Sequence, residues 1–145
     1  VALIIILAVA ALALLAGTAR NIILSDKGKK IDALAKAIAR AEGFGIPGAL
    51  PTRANNPGDL MAGDIGFGEI DGKTVFQTAE DGWDALKRQL LLIVNGRSNY
   101  YDAFDTFRQF AVTYTGGDSP DSWLAVLKQD LGIGESTRLG DWVNA

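Results

Sequence analysis

Ile38-Ala39-Arg40-Ala41-Glu42-Gly43-Phe44 and, after a short interval, Arg53-Ala54-Asn55-Asn56-Pro57-Gly58-Asp59-Leu60 together join a helix end to a turn. Upstream, Ile31, Leu34, Ala35, Ile38 and Ala41 or Glu42 recur at steps of three and four, which is one face of a helix beginning near Lys30. Gly43 is the expected stop. Glu42 therefore falls in the last turn, beside the apolar stripe. In the turn that follows, Pro57 and Gly58 fix the backbone, and Asn55 and Asn56 offer amide donors and acceptors to a ligand.

A carboxylate in the last turn of a helix meets the negative end of the macrodipole, which disfavours its ionised form. Apolar neighbours such as Ile38 and Phe44 add desolvation in the same direction. A carboxyl group held neutral near pH 7 can donate a proton to a leaving oxygen, so Glu42 is placed as a general acid. Most Glu residues near helix ends are solvated and inert. The amide turn one loop away is what raises Glu42 above them.

Outward from this stretch, Gly and Pro punctuate residues 43 to 68, marking a long ordered loop or a set of turns. Phe67-Gly68-Glu69-Ile70, Asp71-Gly72 and Lys73-Thr74-Val75-Phe76 predict a hairpin. Thr78, Glu80 and Asp81 open the next helix, whose stripe is Trp83, Leu86, Leu90 and Ile93, and Asn95-Gly96 ends it. Asp105 is the expected cap of a third helix carrying Phe104, Phe107, Ala111 and Tyr114 on one side. Asp118-Ser119-Pro120 starts a fourth, with Trp123, Leu124, Leu127 and Leu131 as its face before Gly132. Before the first helix, Ser25-Asp26-Lys27-Gly28 favours a turn. The sum is an α+β arrangement, mainly α, over residues 25–145.

Residues 1–24 differ in kind. Val1 to Ala19 carries no charge and is nearly all Ala, Leu, Ile and Val. As a helix it would reach roughly 28 Å, close to the bilayer hydrocarbon thickness. A transmembrane anchor, an uncleaved signal and a buried core helix compete. Uniform apolarity without a polar face counts against the last. The expectation is a single-pass anchor with a basic juxtamembrane segment, Arg20, Lys27, Lys29 and Lys30 against Asp26, suited to lipid headgroups. Removing these from the totals leaves 10 basic and 16 acidic residues, a net charge of −6. An acidic body gives no support to nucleic-acid binding.

The 145-residue chain is 48% apolar, ample for one core, and has neither Cys nor His. That excludes disulfides, thiol nucleophiles, Ser-His-Asp triads and the usual zinc sites. Chemistry must run on carboxylates, Lys, Tyr or Ser. Nothing in the sequence calls for a metal or an organic cofactor.

Four pieces in order carry a resemblance. They are Asn55-Asn56-Pro57-Gly58-Asp59-Leu60, the run Val75 to Leu86, Phe107-Arg108-Gln109-Phe110 leading to Tyr114, and the helix ending Leu131-Gly132-Ile133. Together, over about residues 37 to 139, they resemble the lysozyme-like lytic transglycosylase domains of phage virion and phage-associated proteins. The resemblance implies a lysozyme-like fold and cleavage of the β-1,4 bond between N-acetylmuramic acid and N-acetylglucosamine in peptidoglycan glycan strands. It maps the acid to Glu42, the sugar-binding amides to Asn55 and Asn56, and a groove-lining aromatic to Tyr114. Combined with the expected anchor, it suggests a location at a viral membrane or at a bacterial inner membrane with the domain in the periplasm, and virion or envelope proteins as partners.

Two departures matter. Asp59 stands where such domains usually carry Asn, and as a second acid in the groove it would open a hydrolytic, lysozyme-type route. Thr115-Gly116-Gly117-Asp118 is short and Gly-rich, which leaves the far wall of the groove open. Trp83, Trp123, Tyr100 and Tyr101 are stacking candidates, although Trp83 and Trp123 sit on helical stripes that normally face a core. A third expectation is a peptidoglycan-binding structural protein that keeps the fold without catalysis.

Overall fold

The computed structural model describes residues 25–62 and 66–145, so the expected anchor over residues 1–24 lies outside the described residues. Among those described, no helix is long and apolar enough to cross a membrane. The described chain is α+β and mainly helical: six helices and one two-stranded sheet.

Helix α1, Asp26–Glu42, starts a turn earlier than its apolar periodicity predicts. The Ser25 side chain accepts from the Gly28 amide, 3.1 Å, so the residues expected to form a joint instead cap the helix. Gly43 ends it in the left-handed conformation, φ 81°, where a Cβ would be strained. A short helix α2, Leu50–Arg53, lies inside the Gly/Pro-rich region. Four residues are too few to leave a periodic trace. The hairpin is as expected: β1, Gly68–Ile70, pairs antiparallel with β2, Lys73–Val75, in the register Glu69↔Thr74. Asp71 and Gly72 both take positive φ, which is the type I′ geometry that Asp-Gly favours.

Helix α3, Ala79–Val94, opens with a capping box between Thr78 and Asp81. Helix α4, Phe107–Tyr114, is capped by Thr106 with Gln109 rather than by Asp105, and Phe104 lies outside it, exposed. Asp105 instead uses its carbonyl to accept from Leu139, tying the segment before α4 to the C-terminus. Helix α5, Pro120–Leu131, follows, with Pro in its first turn. A final helix α6, Leu139–Asn144, escapes sequence reading because only Leu139 and Val143 mark its buried side.

Helix α1 is the hub. Its buried face, Ile31, Leu34, Ala35 and Ile38, packs chiefly on α5 and also on α3 and α6. Leu86, Leu90 and Ile93 of α3, Phe107 and Phe110 of α4, and Leu124 and Leu127 of α5 complete one core. Arg40 grips both carboxylate oxygens of Asp130, 2.6 and 2.8 Å, fixing α1 to α5. This pairing ties the last turn of α1 to the last turn of α5, while Glu42, two residues on, meets Trp123 near the start of α5.

Candidate active site

Glu42, the last residue of α1, lines a cleft of about 500 Å³ with Asp59, Lys73, Tyr114, Thr115, Asp118 and Trp123 among its walls. The Trp123 indole N–H donates to Glu42 Oε1 at 2.7 Å. Burial raises the Glu42 pKa above the ordinary carboxylate value, and the Trp123 hydrogen bond opposes that by stabilising the anion. The negative charge of Asp59 raises it further, and the cation of Lys73 lowers it. Desolvation is the largest cause, so the net direction is up. The loop after α1 meanwhile returns amides of Gly43 and Phe44 to the carbonyls of Arg40 and Ala39, tempering the helix-end field that the sequence alone emphasises.

Asp59 and Lys73 form an ion pair in the cleft lining, Nζ to Oδ2 2.7 Å, and the same ammonium donates to the Asp59 carbonyl at 3.0 Å. Asp59 Oδ1 is buried and has no hydrogen-bond partner. Asp59 adopts a left-handed backbone, φ 49°, which a short acidic side chain tolerates better than most.

Asn56 does not reach the cleft. It has no exposed surface, and its amide is spent on the loop: Nδ2 donates to the Leu60 and Thr74 carbonyls, and Oδ1 accepts from the Leu60 amide. Asn55, also at positive φ, donates to the Phe76 and Gln77 carbonyls. Neither lines the cleft. The expectation that these amides hold a sugar is therefore corrected. They bind the turn to the hairpin and so place Asp59 and Gly58: Asn56 is fully buried with no face left for a ligand, and half-buried Asn55 spends its amide donor on the hairpin's exit, outside both clefts.

Tyr114 lines the cleft. Its hydroxyl donates to the Gly58 carbonyl at 2.5 Å, and its ring stacks on Trp123, centroids 5.0 Å apart and 28° between planes. Trp123 is both core and site: 6% exposed within the hydrophobic cluster, yet its N–H reaches the acid. A second cleft of about 550 Å³ shares Asp59, Lys73 and Tyr114 with the first and adds Met61, Gln89, Tyr100 and Tyr101. Burial, then the charge of Glu42, raises the Tyr101 phenol. The ion pair and Tyr114 thus border both clefts. Trp83 instead packs edge-on against Phe44, 5.5 Å, outside both.

Lys73 and the Trp123 donor are the site groups that sequence reading misses. Asp-Gly before Lys73 marks a hairpin but not which way its lysine turns. Among the described residues, no group of three or more acidic side chains is placed to hold a metal ion. No protein-family model matches the chain, and neither a curated protein nor a solved structure matches it.

Proposed function

We propose that this chain is a membrane-anchored, lysozyme-like lytic transglycosylase that cleaves the β-1,4 bond between N-acetylmuramic acid and N-acetylglucosamine. The observation that carries this reading is Glu42: half-buried, biased toward its neutral form, and set in a groove whose neighbouring acid is tied to a lysine. In the reaction the Glu42 carboxyl proton passes to the glycosidic oxygen as its bond to muramyl C1 breaks. The Glu42 carboxylate then takes the proton of the muramyl C6 hydroxyl as O6 bonds to C1. A 1,6-anhydro end is formed, Glu42 is neutral again, and no water is consumed. One carboxylate suffices.

Hydrolysis through Glu42 and Asp59 has one observation in its favour, that both line the same cleft. Against it, one Asp59 oxygen is bound to Lys73 and the other is buried, so neither is offered to a sugar or a water. Residues 1–24 would hold the domain at a viral membrane or at the periplasmic face of an inner membrane, next to its polymer and to other virion or envelope proteins.

Purified sacculi incubated with the full chain should release muropeptides with 1,6-anhydro ends. Reducing ends would establish the hydrolytic route instead. Sacculus binding without release, or release undiminished in Glu42→Gln, would leave a binding protein and end the enzymatic reading.

A further inference from the structure

We propose that Trp123 is the positioning residue of Glu42: its indole N–H claims Oε1, so that Oε2 is the oxygen that carries and delivers the proton. This rests on the reading of Glu42 as the acid.

An indole N–H is a donor only and does not titrate in the working range, so it occupies Oε1 in both states of the carboxyl group. In the neutral acid the carbonyl oxygen is the better acceptor, which leaves the hydroxyl proton on Oε2. In the anion the same N–H spreads the charge, which suits the second half-reaction, when Glu42 acts as a base. The donor is also held still. Trp123 is stacked on Tyr114 and meets Phe110 edge-on, 5.9 Å between centroids. Tyr114 is in turn hydrogen-bonded to the Gly58 carbonyl, next to Asp59. One aromatic pair thus spans from the acid on α1 to the loop on the other wall, so acid and groove are set by a single rigid unit.

The groups that act on Glu42 besides Trp123 are Asp59 and Lys73; Tyr101 feels the Glu42 charge in turn, and Asp118 lines the same cleft. None of them replaces the indole donor. Losing that donor while keeping the ring removes a stabiliser of the anion, so the Glu42 pKa rises. Losing the packing has the opposite sign, because water entering the cleft relieves desolvation and lowers it.

The test uses the full chain in three forms: unaltered, Trp123→Phe, and Trp123 replaced site-specifically by benzothienylalanine, which keeps the bicyclic ring and puts sulfur for N–H. Glu42 is titrated by carboxyl ¹³C NMR without substrate, and kcat and KM on sacculi are followed against pH. We expect the benzothienyl form to titrate above the unaltered chain. Its alkaline limb should move up in step, and kcat should fall roughly ten- to hundredfold with KM little changed. The Phe form should lose more. If Phe fails to fold, the benzothienyl form decides alone, since it preserves the packing. A Glu42 pKa unchanged or lowered in that form, or a loss carried by KM, overturns the proposal. An unaltered chain inactive on sacculi would remove the transglycosylase reading, while the substrate-free titration would still decide what Trp123 does to Glu42.

Discussion

Glu42 is stabilised in its neutral form by burial, which makes it costly to the fold at neutral pH. Its folded pKa is raised, so its favourable contribution is fully present below the unfolded carboxylate value and is lost as pH rises through the folded one. Glu42→Gln keeps the shape and an oxygen for the Trp123 N–H while removing the ionisation. The expected outcome is a variant more stable than the parent at pH 7, with the difference vanishing below about pH 4. Denaturant melts at both pH values check it, and turnover on sacculi should fall on the order of 10²–10⁴-fold. Lys73 behaves oppositely. It is the ion-pair partner of Asp59, both side chains being about four-fifths buried, and its removal leaves a carboxylate with neither oxygen paired. Lys73→Met should cost roughly 2–3 kcal/mol, somewhat less than for a sealed pair, and Lys73→Met with Asp59→Asn should regain most of it. Urea midpoints of the single and double variants measure this. An unrecovered double variant would mean that Lys73 acts through packing instead.

Between the first and third helices, the Asn55–Leu60 turn is held from both sides, and α3 sets its height. Gly82 lies in the first turn of α3, and a Cβ there would stand 1.9 Å from the Asn55 carbonyl oxygen and 2.8 Å from Pro57 Cδ. Helix propensity alone says that Gly82→Ala gains up to about 1 kcal/mol. The backbone contact says otherwise, because a carbonyl cannot rotate out of the way as a side chain can. Gly82→Ala is expected to lose roughly 2–3 kcal/mol, read from thermal or urea unfolding. Asn56→Ala acts on the same turn from within. It strands the Leu60 amide and the Thr74 carbonyl in a dry place, while the Leu60 carbonyl keeps the Thr74 amide, at about 2–3 kcal/mol. Because Asn56 touches no cleft, its loss should show as instability, with KM on sacculi nearly unchanged in the fraction that stays folded. A residue that held sugar would show the reverse.

How much of this was legible in the sequence depended on whether a signal was local. Helices α3 and α5 are legible, since stripes such as Leu86-Leu90-Ile93 and punctuation such as Asp118-Ser119-Pro120 are properties of the segment itself. The hairpin was legible for the same reason. Helix α6 was not, because its place depends on the Gly140 amide meeting the Ala103 carbonyl and on Leu139 reaching Asp105, partners far off in the chain. At the cleft, the raised titration of Glu42 is legible from its apolar neighbours. The role of Asn56 is not legible, because an amide that binds a ligand and one that binds its own loop look identical until burial is known.

The described fold also makes a claim about self-sufficiency. Its core runs from Ile31 to Val143, and the first turns of α1 are tied at several points: Ser25 caps the helix, Lys27 donates to Asn95 at the end of α3, and Lys30 donates to the Trp142 carbonyl and lies over its ring. These ties use residues from Ser25 onward. A fragment Ser25–Ala145 should therefore unfold in one cooperative transition and keep the raised Glu42 titration, measured by urea unfolding and carboxyl NMR. It should fail to sediment with lipid vesicles that retain the full chain, since the uncharged run Val1 to Ala19 is what it lacks. A fragment without a cooperative transition would mean that the N-terminal residues cover part of this core, and the division of labour at residue 25 would have to be redrawn.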